Sequence, residues 1–178
     1  MGLIVNPFVL VSPVTWADAW TAVFNDTDEA TWTNYTMRHV ISTSAIVNTG
    51  THCRVQFTAP AIGLSLYHAY IGLRAGAGDS YDFAATPTEL LFSGASGFSG
   101  LAGGATIFSD DTLFTIDDTT DLVVSFRFQS DGAKRGTVAA NSGVTAFYKN
   151  ANDAATVNAT GYTSNSRIAN ISKIQVHS

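Results

Sequence analysis

Charge is what this sequence has least of. Asp, Glu, Lys and Arg make up only 13% of its 178 residues, about half the share usual in soluble domains. A surface so poor in charge offers little electrostatic resistance to association. The nine Lys and Arg are scattered and outnumbered by fourteen Asp and Glu. That leaves no basic stripe for a phosphate backbone, so nucleic acid is not an expected partner.

Cysteine is nearly absent too. Cys53 stands alone, which excludes an internal disulfide and a cysteine-based zinc site. Its alternation with Val55 and Phe57 marks it as an inert core thiol. Long apolar runs are missing as well. The opening Met1 to Val11 is apolar, but it is broken by Pro7, lacks a basic start and is too short to span a bilayer. Neither export nor a membrane partner is expected, and Asn6 stands where a myristoylation signal needs Ser or Thr. No stretch sustains a helical period, so α/β folds are disfavoured.

What the sequence does have is alternation. Leu122, Val124, Phe126 and Phe128 point one way and Val123, Ser125 and Arg127 the other, between the turn-forming Asp117–Thr120 and Ser130–Gly132. That pattern predicts a strand half-buried against a core. Tyr35, Met37, His39 and Ile41 repeat it, as do Cys53, Val55 and Phe57, and these two strands read as antiparallel neighbours. Trp16–Trp20 fits either a helical turn or a strand, and Asn25–Glu29 reads as an acidic turn. Leu66–Ala75 is apolar on both faces, as a covered central strand would be. Shorter strands are expected at 89–93, 106–108, 112–116, 144–149, 155–160 and 168–176. About ten short strands separated by turns predict an all-β, antiparallel β-sandwich of jelly-roll type. Residues 1–13 are expected to form an apolar arm and 14–178 a single sandwich domain.

Few side chains suggest chemistry. Gly78-Asp79-Ser80 invites comparison with an esterase nucleophile block, yet such a serine needs a histidine base and an orienting aspartate. Ile174 stands three residues before His177, where that aspartate belongs, so Ser80 reads as a turn residue. His39, His52, His68 and His177 lie in separate strands without paired metal-ligand spacing. Asp110-Asp111 and Asp117-Asp118 lack the alternate-position ligands of a calcium loop and read as solvated turns. No metal or other cofactor is expected. Gly94, Gly97, Gly100 and Gly103 recur every third residue, but without proline they cannot form a collagen helix. They predict a loop pinned to the sheet by Phe98 and Leu101.

Trp16, Trp20 and Trp32, with Tyr35 nearby, admit two readings. Exposed rings stack on sugar faces beside polar groups, which would make a glycan site. Large aromatics are more often buried, so a core or subunit-contact role leads.

One resemblance adds to this reading. Tyr81-Asp82-Phe83-Ala84-Ala85-Thr86-Pro87-Thr88-Glu89-Leu90-Leu91-Phe92-Ser93-Gly94, then Ala102-Gly103-Gly104, Ser109-Asp110 and Asp121 to Phe126 resemble the β-sandwich module that precedes some SGNH (GDSL-type) esterase domains. Similar modules occur in virion proteins of tailed phages and phage-like particles. The likeness covers about residues 52 to 130 and includes no catalytic domain. It implies a non-enzymatic structural protein of a virion, made in the host cytoplasm, working as a capsid decoration, head fibre or tail-spike component. The implied partners are other virion proteins and bacterial surface polysaccharide; the alternatives are a stand-alone carbohydrate-binding module and an esterase using Ser80. Leu3, Ile4, Val5, Phe8, Val9 and Leu10 make an apolar surface too large to leave exposed. They predict an assembly arm and a homo-oligomer, with a trimer favoured.

Overall fold

The computed structural model describes residues 13–30, 32–130 and 132–178. The arm residues Leu3, Ile4, Val5, Phe8, Val9 and Leu10 lie outside them.

The strands are β1 (Ala17–Thr21), β2 (Asp26–Ala30), β3 (Thr36–Ile41), β4 (Gly50–Thr58), β5 (Leu64–Leu73), β6 (Thr88–Leu90), β7 (Phe98–Leu101) and β8 (Thr106–Phe108). They continue with β9 (Thr112–Ile116), β10 (Leu122–Ser130), β11 (Ala133–Thr137), β12 (Val144–Lys149), β13 (Thr163–Asn165), β14 (Arg167–Ala169) and β15 (Ile171–His177). One sheet runs β1-β15-β4, with β8 and β9 both pairing β4; the larger runs β13-β12-β3-β10-β5, with β6 and β7 both pairing β5. A small third sheet joins β14, β11 and β2. All the ladders are antiparallel.

The orders β1-β15-β4-β9 and β3-β10-β5-β7 give the two facing sheets of a jelly roll, in which successive strands cross between layers. β12 and β13 extend the second sheet beyond β3. The strand count exceeds the sequence reading because β2, β7, β11 and β13 fall in stretches not read as strands, and the expected 168–176 strand divides into β14 and β15.

β10 behaves as its alternation dictates. Leu122, Val124, Phe126 and Phe128 are all fully buried between the sheets, meeting Cys53, Val55, Phe57, Ile174 and Val176 from the opposite layer. Burying each such side chain contributes roughly 1.5–3 kcal/mol. The other face of β10 is covered as well, since Val123 and Ser125 are also at 0% exposure. Val123 packs with Val40, Tyr81, Phe83 and Ala159 in a second apolar cluster. The sandwich therefore carries a third layer, made of the loops around 76–87 and 150–162.

Arg38 pins that layer down. Its guanidinium donates to the carbonyls of Tyr81 (2.9 Å), Asp153 (3.0 Å) and Thr156, and it lies over the rings of Phe83 and Tyr162. Asp82, 5% exposed, accepts from the backbone N–H groups of Asp79 and Ala159 and ties the two loops to each other.

Several expectations change. β3 and β4 are not sheet neighbours; the link between them, with a 3-10 turn at Thr43–Ala45, crosses from one layer to the other. The run 155–160 joins no strand ladder; its Val157 carbonyl accepts from the Phe83 N–H, and Val157 and Ala159 cover the outer sheet face. The acidic run around Asp26 forms β2 and pairs with β11. The stretch 168–176 is broken at Asn170, which adopts a left-handed φ of 56°. Its side chain donates to the carbonyls of Thr58 and Gly132, which repays the kink. Of Trp16–Trp20, the residues from Ala17 onward resolve as the edge strand β1, paired with β15, and Trp16 stands just before it. The glycine stretch expected as a loop contains strand β7, paired with β5; Gly94 and Gly100 take positive φ, while Gly97 and Gly103 lie against the backbone of Leu66 and Ala61. Phe98 and Leu101 pack onto the core.

Candidate functional site

Alternation on β4 and β15 decides what the outer face of the five-stranded sheet displays. With Cys53, Val55, Ile174 and Val176 inward, His52, Arg54, Gln175 and His177 must point outward. The register places His52 opposite His177 and Arg54 opposite Gln175. The two imidazoles stack, with centroids 4.5 Å apart and 19° between planes.

Asp111 immediately precedes β9, which pairs with β4 beside His52. Its Oδ1 lies 2.9 Å from His52 Nδ1 and its Oδ2 lies 3.0 Å from His177 Nε2. One donor atom from each residue falls within 4.8 Å of the others. Burial acts to raise the Asp111 carboxyl, but the hydrogen bonds from His177 and His52 outweigh it and hold the group below its ordinary range.

Trp16 flanks this trio. Its ring meets His177 edge-on at 4.5 Å, and the Arg54 guanidinium lies over it at 4.3 Å and over Phe108 at 4.2 Å. Arg54 Nε donates to Gln175 Oε1 at 2.8 Å. Farther along the face, Asp18 accepts from Lys173 and Gln175, and the two hydrogen bonds depress its pKa. Together these side chains form a continuous polar and aromatic patch on a rigid sheet.

The other aromatic candidates go elsewhere. Trp20 is 4% exposed and belongs to the core. Trp32 and Tyr35 meet edge-on at 5.0 Å, and Trp32 meets Tyr148 at 4.9 Å, as a half-buried cluster packed against the core. The four residues Trp16, Trp20, Trp32 and Tyr35 thus occupy three places, and Trp16 alone lies beside the histidine pair.

Ser80 is exposed on the rim of an open groove of about 410 Å³ that also holds Arg74 and Asp121. Arg74 Nε donates to the Ser80 carbonyl and its Nη1 pairs with Asp121 at 3.1 Å. No histidine lines the groove. His39 is fully buried, accepting from the Ala169 N–H, and His68 stands on β5 beside Tyr67 and Tyr70. Asp110 caps the backbone N–H groups of Ser93 and Gly94, and Asp117 closes its own turn through Thr119 and Thr120.

Sequence spacing gives no sign of the His52–Asp111–His177 trio, because its members are far apart in the chain and meet only through strand register. The available signal was that both histidines alternate outward. No family model matches the sequence, and no curated protein matches it.

Proposed function

We propose that the protein is a non-enzymatic structural subunit of a phage-like particle, a capsid decoration, head fibre or tail-spike component that assembles as a homo-oligomer, a trimer being favoured. One observation carries this reading. Leu3, Ile4, Val5, Phe8, Val9, Leu10 and Val11 crowd one short stretch of a chain whose two sheets already pack against each other. Apolar surface of that size is covered in a stable protein, and at roughly 1.5–3 kcal/mol per buried side chain it is enough to drive subunit association. The low charge and the resemblance of residues 52–130 to virion modules point the same way.

Light scattering on the purified chain tests the proposal. A discrete oligomer of the 18.8 kDa subunit is the expected result, and a monomer at high concentration counts against it.

A second reading, a carbohydrate-binding module, draws on Trp16, which is half-buried on an outer face beside Arg54 and Asp18. Calorimetry against bacterial polysaccharides separates the two. Saturable binding lost in Trp16→Ala favours the module. The esterase alternative predicts hydrolysis of activated acyl esters that Ser80→Ala abolishes, and the structural reading predicts none.

A further inference from the structure

We infer that His52, Asp111 and His177 form a binding site for a divalent transition metal of the Zn²⁺ class. Two imidazole nitrogens and one carboxylate are the donor set such borderline ions select, whereas Ca²⁺ and Mg²⁺ require oxygen ligands throughout. Cys53 adjoins His52 but faces the core at 0% exposure, so no thiolate joins the set and soft Cu(I) is not the fitting ion.

The donors of all three residues converge on one spot of the sheet face. Ligand atoms around a tetrahedral Zn²⁺ with bonds of about 2.0–2.1 Å sit about 3.3 Å apart. His52 Nδ1 lies 2.9 Å from Asp111 Oδ1 and His177 Nε2 lies 3.0 Å from Asp111 Oδ2, with one donor atom of each residue within 4.8 Å of the others, so side-chain rotation must draw the three donors together around the ion. In the metal-free state the same atoms are bridged by protons, and metal binding displaces the proton that each imidazole shares with the carboxylate.

The donors are also held in place. His52 and His177 are cross-strand partners on the two best-buried strands of their sheet, with Cys53 and Val176 beside them in the core. Trp16 packs its edge on His177 and is itself fixed under Arg54. The side chains of His52 and Asp111 remain 35% and 47% exposed, which leaves an entry path and an open position for water or a fourth ligand. A bound ion would fasten the start of β9 to β4 and β15, raising stability by mass action.

The test uses untagged, chelator-stripped full-length protein. Titration calorimetry with Zn²⁺ is expected to show a single ion per chain, with a rise in melting temperature, and Co²⁺ is expected to give the strong visible absorption of a four-coordinate centre. Loss of groups that only support a ligand weakens such sites by about 10–100-fold, so His52→Asn, Asp111→Asn and His177→Asn should each lower Zn²⁺ affinity by at least about tenfold. His68→Asn, on the other sheet, should leave affinity unchanged. Absence of saturable Zn²⁺ binding, or affinity unchanged in all three variants, overturns the assignment. Should a variant lose its native circular dichroism, imidazole NMR on the wild type decides: Zn²⁺ must shift the His52 and His177 rings, and shifts confined to other residues refute the site.

Discussion

The Arg38 guanidinium lies over the Phe83 ring at 4.7 Å, with Arg38 at 0% exposure and Phe83 at 1%. A buried cation on the outer face of a sheet is held there by what lies above it: the ring and the carbonyls of Tyr81, Asp153 and Thr156. Arg38→Met roughly keeps the volume but takes the Arg38 donors from the Tyr81 and Thr156 carbonyls, while the Asp153 carbonyl keeps the Thr156 N–H. At about 1–3 kcal/mol for each orphaned buried group, it should cost at least about 2 kcal/mol in urea unfolding and expose the loops around 79–84 and 151–160 to protease. Arg38→Lys keeps the charge without the fork and should fall between. An unchanged unfolding midpoint for Arg38→Met would show that the loop layer does not depend on this residue.

His39 makes stability acid-sensitive. Burial pushes its imidazole from the ordinary 6.5 down to about 3, so the unfolded chain takes up a proton near pH 6.5 and the native chain only near pH 3. The stability tied to neutral His39 is therefore fully present above pH 6.5 and is lost as pH falls through that window, by about 1.4 kcal/mol per unit. His39→Gln, which does not titrate and can still accept from the Ala169 N–H, should flatten the dependence. Denaturant midpoints of both proteins between pH 4 and 7 measure it, and parallel curves would remove His39 as the cause.

The glycines at 97 and 103 stand where backbone meets backbone. A Cβ at Gly103 would overlap the Ala61 carbonyl oxygen, and one at Gly97 the Leu66 carbonyl oxygen, neither of which can rotate away. Alanine at either position should cost about 1–3 kcal/mol. Gly94 has open space and a φ of 81°, so Gly94→Ala should cost only the left-handed strain of about 1–2 kcal/mol. Thermal melts rank them, and Gly103→Ala melting with the wild type would contradict the close approach.

Cys53 should be silent in the native state. Burial, with a smaller contribution from Asp111, pushes its thiol up to about 12, far from the thiolate that reacts. A disulfide reagent at pH 8 is expected to modify it only after denaturant is added. Rapid stoichiometric reaction in native buffer would refute its burial.

Much of this fold could be read from alternation. Leu122 to Phe128 and Cys53 to Phe57 show their inward faces because a strand repeats every two residues, and the turn signals around them fix their ends. Alternation fails where a sheet is covered twice. It sends Arg38 and Ser125 to solvent, and only the loops of 76–87 and 150–162, which have no period, bring them to 0% exposure. The same loops explain why Val157 and Ala159 resemble a strand without being one. The three tryptophans are close in sequence yet are dispersed because β1 lies on the edge of one sheet while Trp32 and Tyr35 lead into the other. His52 and His177 stand 125 residues apart (177 − 52) in the chain, and their pairing depends on a register that neither strand carries alone.

The assembly claim is tested most directly by deleting residues 1–11 and measuring mass by light scattering alongside circular dichroism. The account predicts that the full chain is a homo-oligomer and that the truncated chain is a monomer with an unchanged β-sheet spectrum. A truncated chain that assembles like the full one, or that no longer folds, would contradict it.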